Sequence, residues 1–302
     1  MRFSSFVPLA LAAAPVAVSA AGQLGFALGV KNADGSCKAA ADFEKDFDVL
    51  KAHTNTVRTY AASDCNNAPA IVKAAKSKDF KIIFGIWPDV EESFEADKAA
   101  LKKTVPGNED VITAITVGSE TLYRGNFTGP ELLEKIQDVQ KLFPTVPVGT
   151  ADSWNKYADG TADALIAGGV KYFLVNAFAF WQGQDIKNAT ATFFDDMMQA
   201  INHIQQLAGS NAKDIYIATG ETGWPTDGGT DYDDAKAGTA NAKRFHDEGV
   251  CGMLAWGVDV FFFEAFDEPW KPKSMGENGY AADETHWGMY TADRKPKYTV
   301  SC

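Results

Sequence analysis

Apolar, β-branched stretches recur at regular intervals along the chain, and amphipathic stretches fill the gaps between them. The apolar runs are Gly25–Val30, Thr56–Ala61, Lys81–Trp87, Ile112–Gly118, Val146–Ala151, Tyr172–Phe178, Ile215–Thr219 and Met253–Val258. Most are continuous rather than alternating, the pattern of parallel strands covered on both faces. Helical spacing marks Ala39–Lys51, Ala68–Ser77, Ser93–Lys103, Glu131–Leu142, Ala162–Ala167, Thr192–Leu207 and Asp233–Asp247. Start signals support two of these helices: Thr128-Gly129-Pro130-Glu131 stands ahead of Leu132, and Thr190 precedes a run that opens with Asp195 and Asp196. Strict alternation of strand and helix predicts parallel strands joined by crossovers, and eight units fit a single-domain (β/α)8 TIM barrel over residues 21–302. An open doubly wound sheet would carry a glycine-rich phosphate loop after its first strand, and Gly25-Phe26-Ala27-Leu28-Gly29 lacks that spacing. Phe261-Phe262-Phe263 is read as core packing behind strand eight, and no eighth helix is legible after it.

Residues 1–20 differ from the rest. Arg2 leads into the apolar run Phe6–Val18, broken by Pro8 and Pro15, and Val18-Ser19-Ala20 offers small residues for cleavage, so a secretory signal is expected there. The run is shorter than the roughly 18 residues of a membrane span. A secreted chain changes the reading of its four cysteines, Cys37, Cys65, Cys251 and Cys302, which become two expected disulfides with three pairings open on paper. The barrel layout favours Cys37 with Cys65, just past the ends of strands one and two, and Cys251 with Cys302 near the opposite rim. Asn126-Phe127-Thr128 and Asn188-Ala189-Thr190 become candidate glycan acceptors. Across 302 residues the formal net charge is −12, which opposes nucleic-acid or anionic-membrane partners and suits a neutral substrate. A monomer is expected.

In such barrels the reacting groups project from the carboxyl ends of the strands. Strand four runs through Gly118 and Ser119 into Glu120, and strand seven through Gly220 into Glu221. The small residues ahead of each glutamate are read as room for a ligand. Strands four and seven stand three apart around the ring, so their ends face each other across the mouth. Paired carboxylates across a cleft suit glycosidic cleavage, one donating a proton to the leaving oxygen and the other handling the anomeric carbon. Tyr60, Trp87, Trp154, Trp181, Trp224 and Trp270 fall at or after strand ends, where aromatic rings could stack on sugar faces. The histidines make no H-E-x-x-H pair, Ser119 lacks an esterase elbow, and the acidic stretch from Asp227 lacks calcium-loop spacing, so no metal or cofactor is expected.

Val117-Gly118-Ser119-Glu120 with Leu122-Tyr123-Arg124, and Gly220-Glu221-Thr222-Gly223-Trp224-Pro225, resemble the two active-site signatures of glycoside hydrolase family 17, the β-1,3-glucanases. Phe266-Asp267-Glu268-Pro269-Trp270-Lys271, Glu284-Thr285-His286-Trp287-Gly288, Arg58-Thr59-Tyr60 and Asn176 resemble further family segments, so the likeness spans nearly the whole chain. The Gly-Ser-Glu form is similar to the fungal cell-wall branch, whose members cut β-1,3-glucan and transfer the cut piece to another glucan chain. The resemblance implies a secreted, cell-wall enzyme with Glu120 as acid/base, Glu221 as nucleophile, and Tyr60, Asn176, Trp224, Glu268 and Lys271 in the sugar-binding site. Ser119 departs from the Asn that many related barrels place before the acid/base, and is a shorter donor to the sugar 2-hydroxyl. Two other readings are a non-catalytic glucan-binding wall protein and a related barrel acting on another β-linked glucan.

Overall fold

A computed structural model describes residues 21–227, 231–272, 274–275 and 281–302; the expected signal segment, residues 1–20, lies outside them. Eight parallel strands close a barrel in chain order: β1 (Leu24–Ala27), β2 (Thr56–Arg58), β3 (Lys81–Ile86), β4 (Ile112–Ser119), β5 (Val148–Ser153), β6 (Tyr172–Asn176), β7 (Tyr216–Thr222) and β8 (Val260–Phe262). The expected TIM barrel is therefore the observed architecture. Between the strands run α1 (Ala40–Leu50), α2 (Asn67–Lys78), α3 (Glu91–Thr104), α4 (Gly129–Leu142), α5 (Trp154–Ala158), α6 (Asp163–Ala167), α7 (Ile186–Ala208), α8 (Thr239–Phe245) and α9 (Cys251–Ala255). A short antiparallel pair, β9 (Ser274–Met275) and β10 (Ala281–Ala282), follows the barrel. No helix among the described residues is long and apolar enough to cross a membrane.

The core has two layers, as barrel geometry requires. Ile83, Ala114, Ala151, Tyr172, Leu174, Ala218 and Phe261 fill the interior, and a larger shell including Phe43, Phe47, Phe80, Leu101, Ile136 and Phe193 glues helices to the strand ring. Continuous apolar strands thus bury both faces. At α4 the cap is as expected: Thr128 Oγ1 accepts from Glu131 N at 3.5 Å while Thr128 N donates to Glu131 Oε2 at 2.8 Å.

Four local expectations are corrected. The apolar run Met253–Val258 is the end of α9 and the turn after it, not the eighth strand. A π-helical turn, His246–Val250, joins α8 to α9, and Gly257 at φ +93° ends the run with Gly257 N bonded to Leu254 O and Val258 N to Met253 O. That is a glycine-closed helix end. Phe261 and Phe262, read as packing behind strand eight, belong to it. The helix expected from Asp233 starts at Thr239, because Tyr232 and Ala235 pair in a tight loop first. Helix α7 starts before Thr190, with the Asp185 carboxylate capping Lys187 N at 2.9 Å, so Asn188 sits exposed in a first helical turn. Helix α5 is an unexpected addition. Both disulfides form as the layout favoured, Cys37–Cys65 and Cys251–Cys302.

Candidate active site

The chain ends of β4 and β7 deliver Glu120 and Glu221 to one mouth. Glu221 lies within β7 and is buried, where an unpaired carboxylate would be costly. Arg58, the last residue of β2 and itself 1% exposed, answers that cost: its Nη1 donates to Glu221 Oε1 at 2.9 Å and to Gly220 O at 2.9 Å, and its Nη2 donates to Ser119 Oγ at 3.1 Å. Ser119 is thereby committed to the Arg58–Glu221 pair, its hydroxyl standing 3.4 Å from Glu221 Oε1. Tyr60 lies beside this pair, its ring centre 4.9 Å from the Arg58 guanidinium carbon. Burial and the neighbouring Glu221 charge push its phenol well up.

Glu120 follows β4 directly and is half-buried. Asn176, at the end of β6, donates from Nδ2 to Glu120 Oε1 at 3.1 Å, and Arg124 Nη1 stands 3.4 Å from Oε2. Burial first, then the charge of Glu221, push the Glu120 carboxyl up to about 7, against the pull of Asn176 and Arg124. The backbone is unusual here: Gly118 has φ +85° and Glu120 φ +61°, a left-handed conformation that a non-glycine residue adopts only when its surroundings enforce it. A side chain at Gly118 would stand 2.8 Å from Thr121, and one at Gly220 2.7 Å from Asn176 Oδ1. The small residues expected to admit a ligand therefore make room for neighbouring side chains instead.

On the β8 side, Lys271 Nζ contacts Glu264 Oε1 and Oε2 at 3.0 Å each, Glu268 Oε2 at 3.0 Å and Glu284 Oε2 at 3.7 Å. Burial works to strip its proton, but these carboxylates outweigh burial and hold the ammonium above its ordinary pKa. Burial and Glu268 push Glu264 well up. Gly29 makes space for the cluster, since a Cβ there would fall 1.6 Å from Glu268 Oε1.

A family model, the BtgE/BtgC glycoside hydrolase domain, matches residues 25–288. The chain belongs to that family. It is 71% identical over 302 residues to a glucan 1,3-β-glucosidase of Arthroderma benhamiae, covering 100% of this chain and 98% of the relative. It is 43% identical over 317 residues to a glucan 1,3-β-glucosidase of Saccharomyces cerevisiae, covering 100% and 99%. Among solved structures it is similar to a family 17 β-1,3-glucanosyltransferase of Rhizomucor miehei, with TM-score 0.78, 28% identity and coverage of 92% and 96%. An active-site mutant of that enzyme in complex with laminaritriose matches with TM-score 0.79.

The aromatic row expected of this BtgE/BtgC family member is only partly open to solvent. Tyr60, Trp87, Trp154, Trp181 and Trp270 are half-buried; Arg124 lies over Trp87 at 5.3 Å and Lys31 over Trp270 at 4.8 Å. Trp224 is the correction: it is 0% exposed, packs edge-on to Phe180 at 5.1 Å, and donates from Nε1 to Lys236 O at 2.8 Å. Its ring builds the wall beneath the mouth and lines no open groove, because the loop after β7 folds over it. Asn126 stays exposed, with Nδ2 donating to Asp89 Oδ2 at 2.7 Å.

Two buried carboxylates beside the site, Asp152 and Glu264, have no place in the sequence-based expectation. Asp152 ends a hydrophobic strand as Glu120 and Glu221 do, and the same signal would have found it had β5 been extended one residue beyond Ala151. Glu264 follows the three phenylalanines, and placing strand eight at Met253–Val258 hid it. Among the described residues the His and Cys group compact enough for a metal is His246 with Cys251 and Cys302, and both of its sulfurs are spent in a disulfide.

Proposed function

We propose that the chain is a retaining glycosidase that cuts β-1,3-glucan internally and passes the cut piece to water or to another glucan, acting as a monomer. Glu221 attacks the anomeric carbon and forms a covalent glycosyl-enzyme, while Glu120 gives its proton to the departing glucan oxygen. The ionised Glu120 then takes a proton from the incoming hydroxyl as that oxygen displaces Glu221, which restores both groups. Water gives hydrolysis and a sugar hydroxyl gives transfer. The observation that carries this reading is the unequal environment of the two carboxyls. Glu221 is fixed by a buried arginine, whereas Glu120 holds its proton up to about 7, and such a split separates an acid from a nucleophile. The carboxylates perform both proton movements and the covalent step with no cofactor.

Tyr60, Asn176, Glu268 and Lys271 flank these groups and support roles around the sugar. Relatives named for β-1,3-glucan and the laminaritriose complex support the substrate. The two disulfides and the leader-like residues 1–20 favour export to the cell wall, with glycans at Asn126 and Asn188. Proton NMR of laminaripentaose digestion tests the chemistry. A β-anomer as first product, with oligosaccharides longer than the pentaose accumulating later, is expected. A first product in the α-configuration rules out retention, and intact pentaose after prolonged incubation favours the non-catalytic wall protein.

A further inference from the structure

The turn that carries Glu120 is held by a carboxylate from the neighbouring strand. Asp152 of β5 is fully buried, and its oxygens accept from the backbone N–H groups of Leu122 at 2.8 Å, Tyr123 at 3.1 Å and Ser153 at 2.8 Å. Leu122 and Tyr123 supply opening donors of the helical turn that starts at Glu120, closed by Arg124 N on Glu120 O at 2.9 Å. Donors at the start of such a turn have no partner within it, and their aligned dipoles favour a negative charge. The residue entering the turn is Glu120 at φ +61°. The same turn sends Arg124 back to the Glu120 carboxylate and to the Ser119 carbonyl.

We propose that Asp152 is the positioning residue of the proton donor: by capping this turn from β5 it enforces the left-handed backbone of Glu120 and sets where its carboxyl and the Arg124 guanidinium stand. The inference rests on Glu120 being the acid/base. Asp152 touches no open space, so it acts through the turn and through its charge. Burial keeps its own carboxyl at about 6, against the backbone donors and Arg124. Its charge in turn favours the protonated form of Glu120. The groups facing these two carboxyls are Glu221 of β7, Asn176 of β6, Arg124 of the turn itself and Tyr157 of α5.

The test compares Asp152→Asn with the parent chain on two substrates. One is laminarin, whose leaving sugar needs a proton. The other is a dinitrophenyl β-laminaribioside, whose phenolate leaves without one. The variant keeps the side-chain shape but replaces an accepting oxygen with a donor. With a displaced acid, kcat/KM on laminarin falls about 10- to 100-fold, a share of the ~10²–10⁴ that general acid catalysis supplies. On the aryl glycoside it stays within about threefold. The alkaline limb of the laminarin pH profile moves to lower pH, because a negative charge beside Glu120 is gone. Equal losses on the two substrates, or no loss on either, overturn the proposal. Glu120→Ala run alongside separates the two failures: if it shows the leaving-group split and Asp152→Asn does not, only the positioning role falls, and if it shows no split, the acid/base reading falls first. Should Asp152→Asn not fold, Asp152→Ser, which keeps one acceptor without the charge, carries the same comparison.

Discussion

The two ends of the barrel use the same eight strands for opposite purposes. At the carboxyl end, β2, β4, β6 and β7 each carry a polar side chain at or next to their last residue that meets its neighbours, Arg58, Glu120, Asn176 and Glu221, and the backbone is forced left-handed at Glu120. At the amino end, the first residues of β6 and β7 are Tyr172 and Tyr216, stacked at 4.8 Å, and Tyr216 donates to Asp259 at 2.6 Å. A cavity of about 1100 Å³ opens at this floor, lined by Gln23, Asn55, Lys81 and the two tyrosines among others. This cavity and the paired glutamates thus stand at different ends. Chemistry decides, because Asp259 at the floor is satisfied by the Tyr216 hydroxyl and Gln23 N, whereas at the mouth burial and the charge of Glu221 push the Glu120 carboxyl up to about 7. A spacious end with settled charges can house a ligand; reactivity needs strained and unequal ones.

The largest break in this contrast comes from Glu221→Gln. Activity on laminarin is expected to fall by at least ~10⁴-fold, the scale at which a covalent nucleophile is lost. Arg58 keeps its bonds to Gly220 O and Ser119, so circular dichroism and gel filtration should match the parent. Residual turnover above a thousandth of wild type would remove Glu221 from the covalent step.

The disulfides sharpen the comparison because one sits at each end. Cys37–Cys65 closes 28 residues between the loops after β1 and β2, and Cys251–Cys302 closes 51 and brings the chain end beside Gln23, His53 and Asn55 at the floor. Loop-closure entropy gives each about 4 kcal/mol of stability. Replacing either cysteine pair with alanine is therefore expected to lower the unfolding free energy from denaturant titration by a similar amount. Only loss of the mouth pair should also raise KM for laminarin, since it frees loops beside β2. An equal KM effect from the floor pair would contradict the division.

Much of this division was legible in the sequence, and the lapses share a physical cause. Runs buried on both faces gave seven of the eight strands, and the two glutamates were found because each interrupts such a run at its carboxyl end. The run Met253–Val258 resembles a strand because it is as apolar as one, although only Met253 and Leu254 are buried and Trp256 is exposed, and what distinguishes it is Gly257 closing the helix end. Trp224 misled in the other direction: its place after a strand end says that it lies near the mouth, but not that a returning loop covers it. Arg58 stands in the sequence only as part of the Arg58-Thr59-Tyr60 family match, with no role attached. A buried arginine needs a carboxylate across the barrel, and that pairing spans 163 positions, beyond the reach of local pattern.

A smaller effect tests how the mouth sets its protons. Glu120 acts as an acid only while protonated, and burial together with Glu221 holds it at about 7. Above that pH kcat/KM should decline tenfold per unit. Arg124 favours the ionised form, so Arg124→Ala is expected to move this alkaline limb upward by less than about one unit. A shift to lower pH would mean that Arg124 acts chiefly by holding the turn through the Ser119 carbonyl.

The smallest effect belongs at the floor. Tyr216→Phe deletes the hydroxyl that donates to Asp259 Oδ2 and leaves the ring stacked on Tyr172, so the barrel interior keeps its packing. A hydrogen bond to a charged group contributes about 1.5 kcal/mol, and the unfolding free energy from denaturant titration should fall by that much. Laminarin turnover should stay within twofold, because the Asp259 carboxylate is held by the Tyr216 hydroxyl and Gln23 N at the opposite end of the barrel from Glu120 and Glu221. A tenfold loss of turnover with unchanged stability would reverse both halves of the comparison, placing at the floor a group on which catalysis depends.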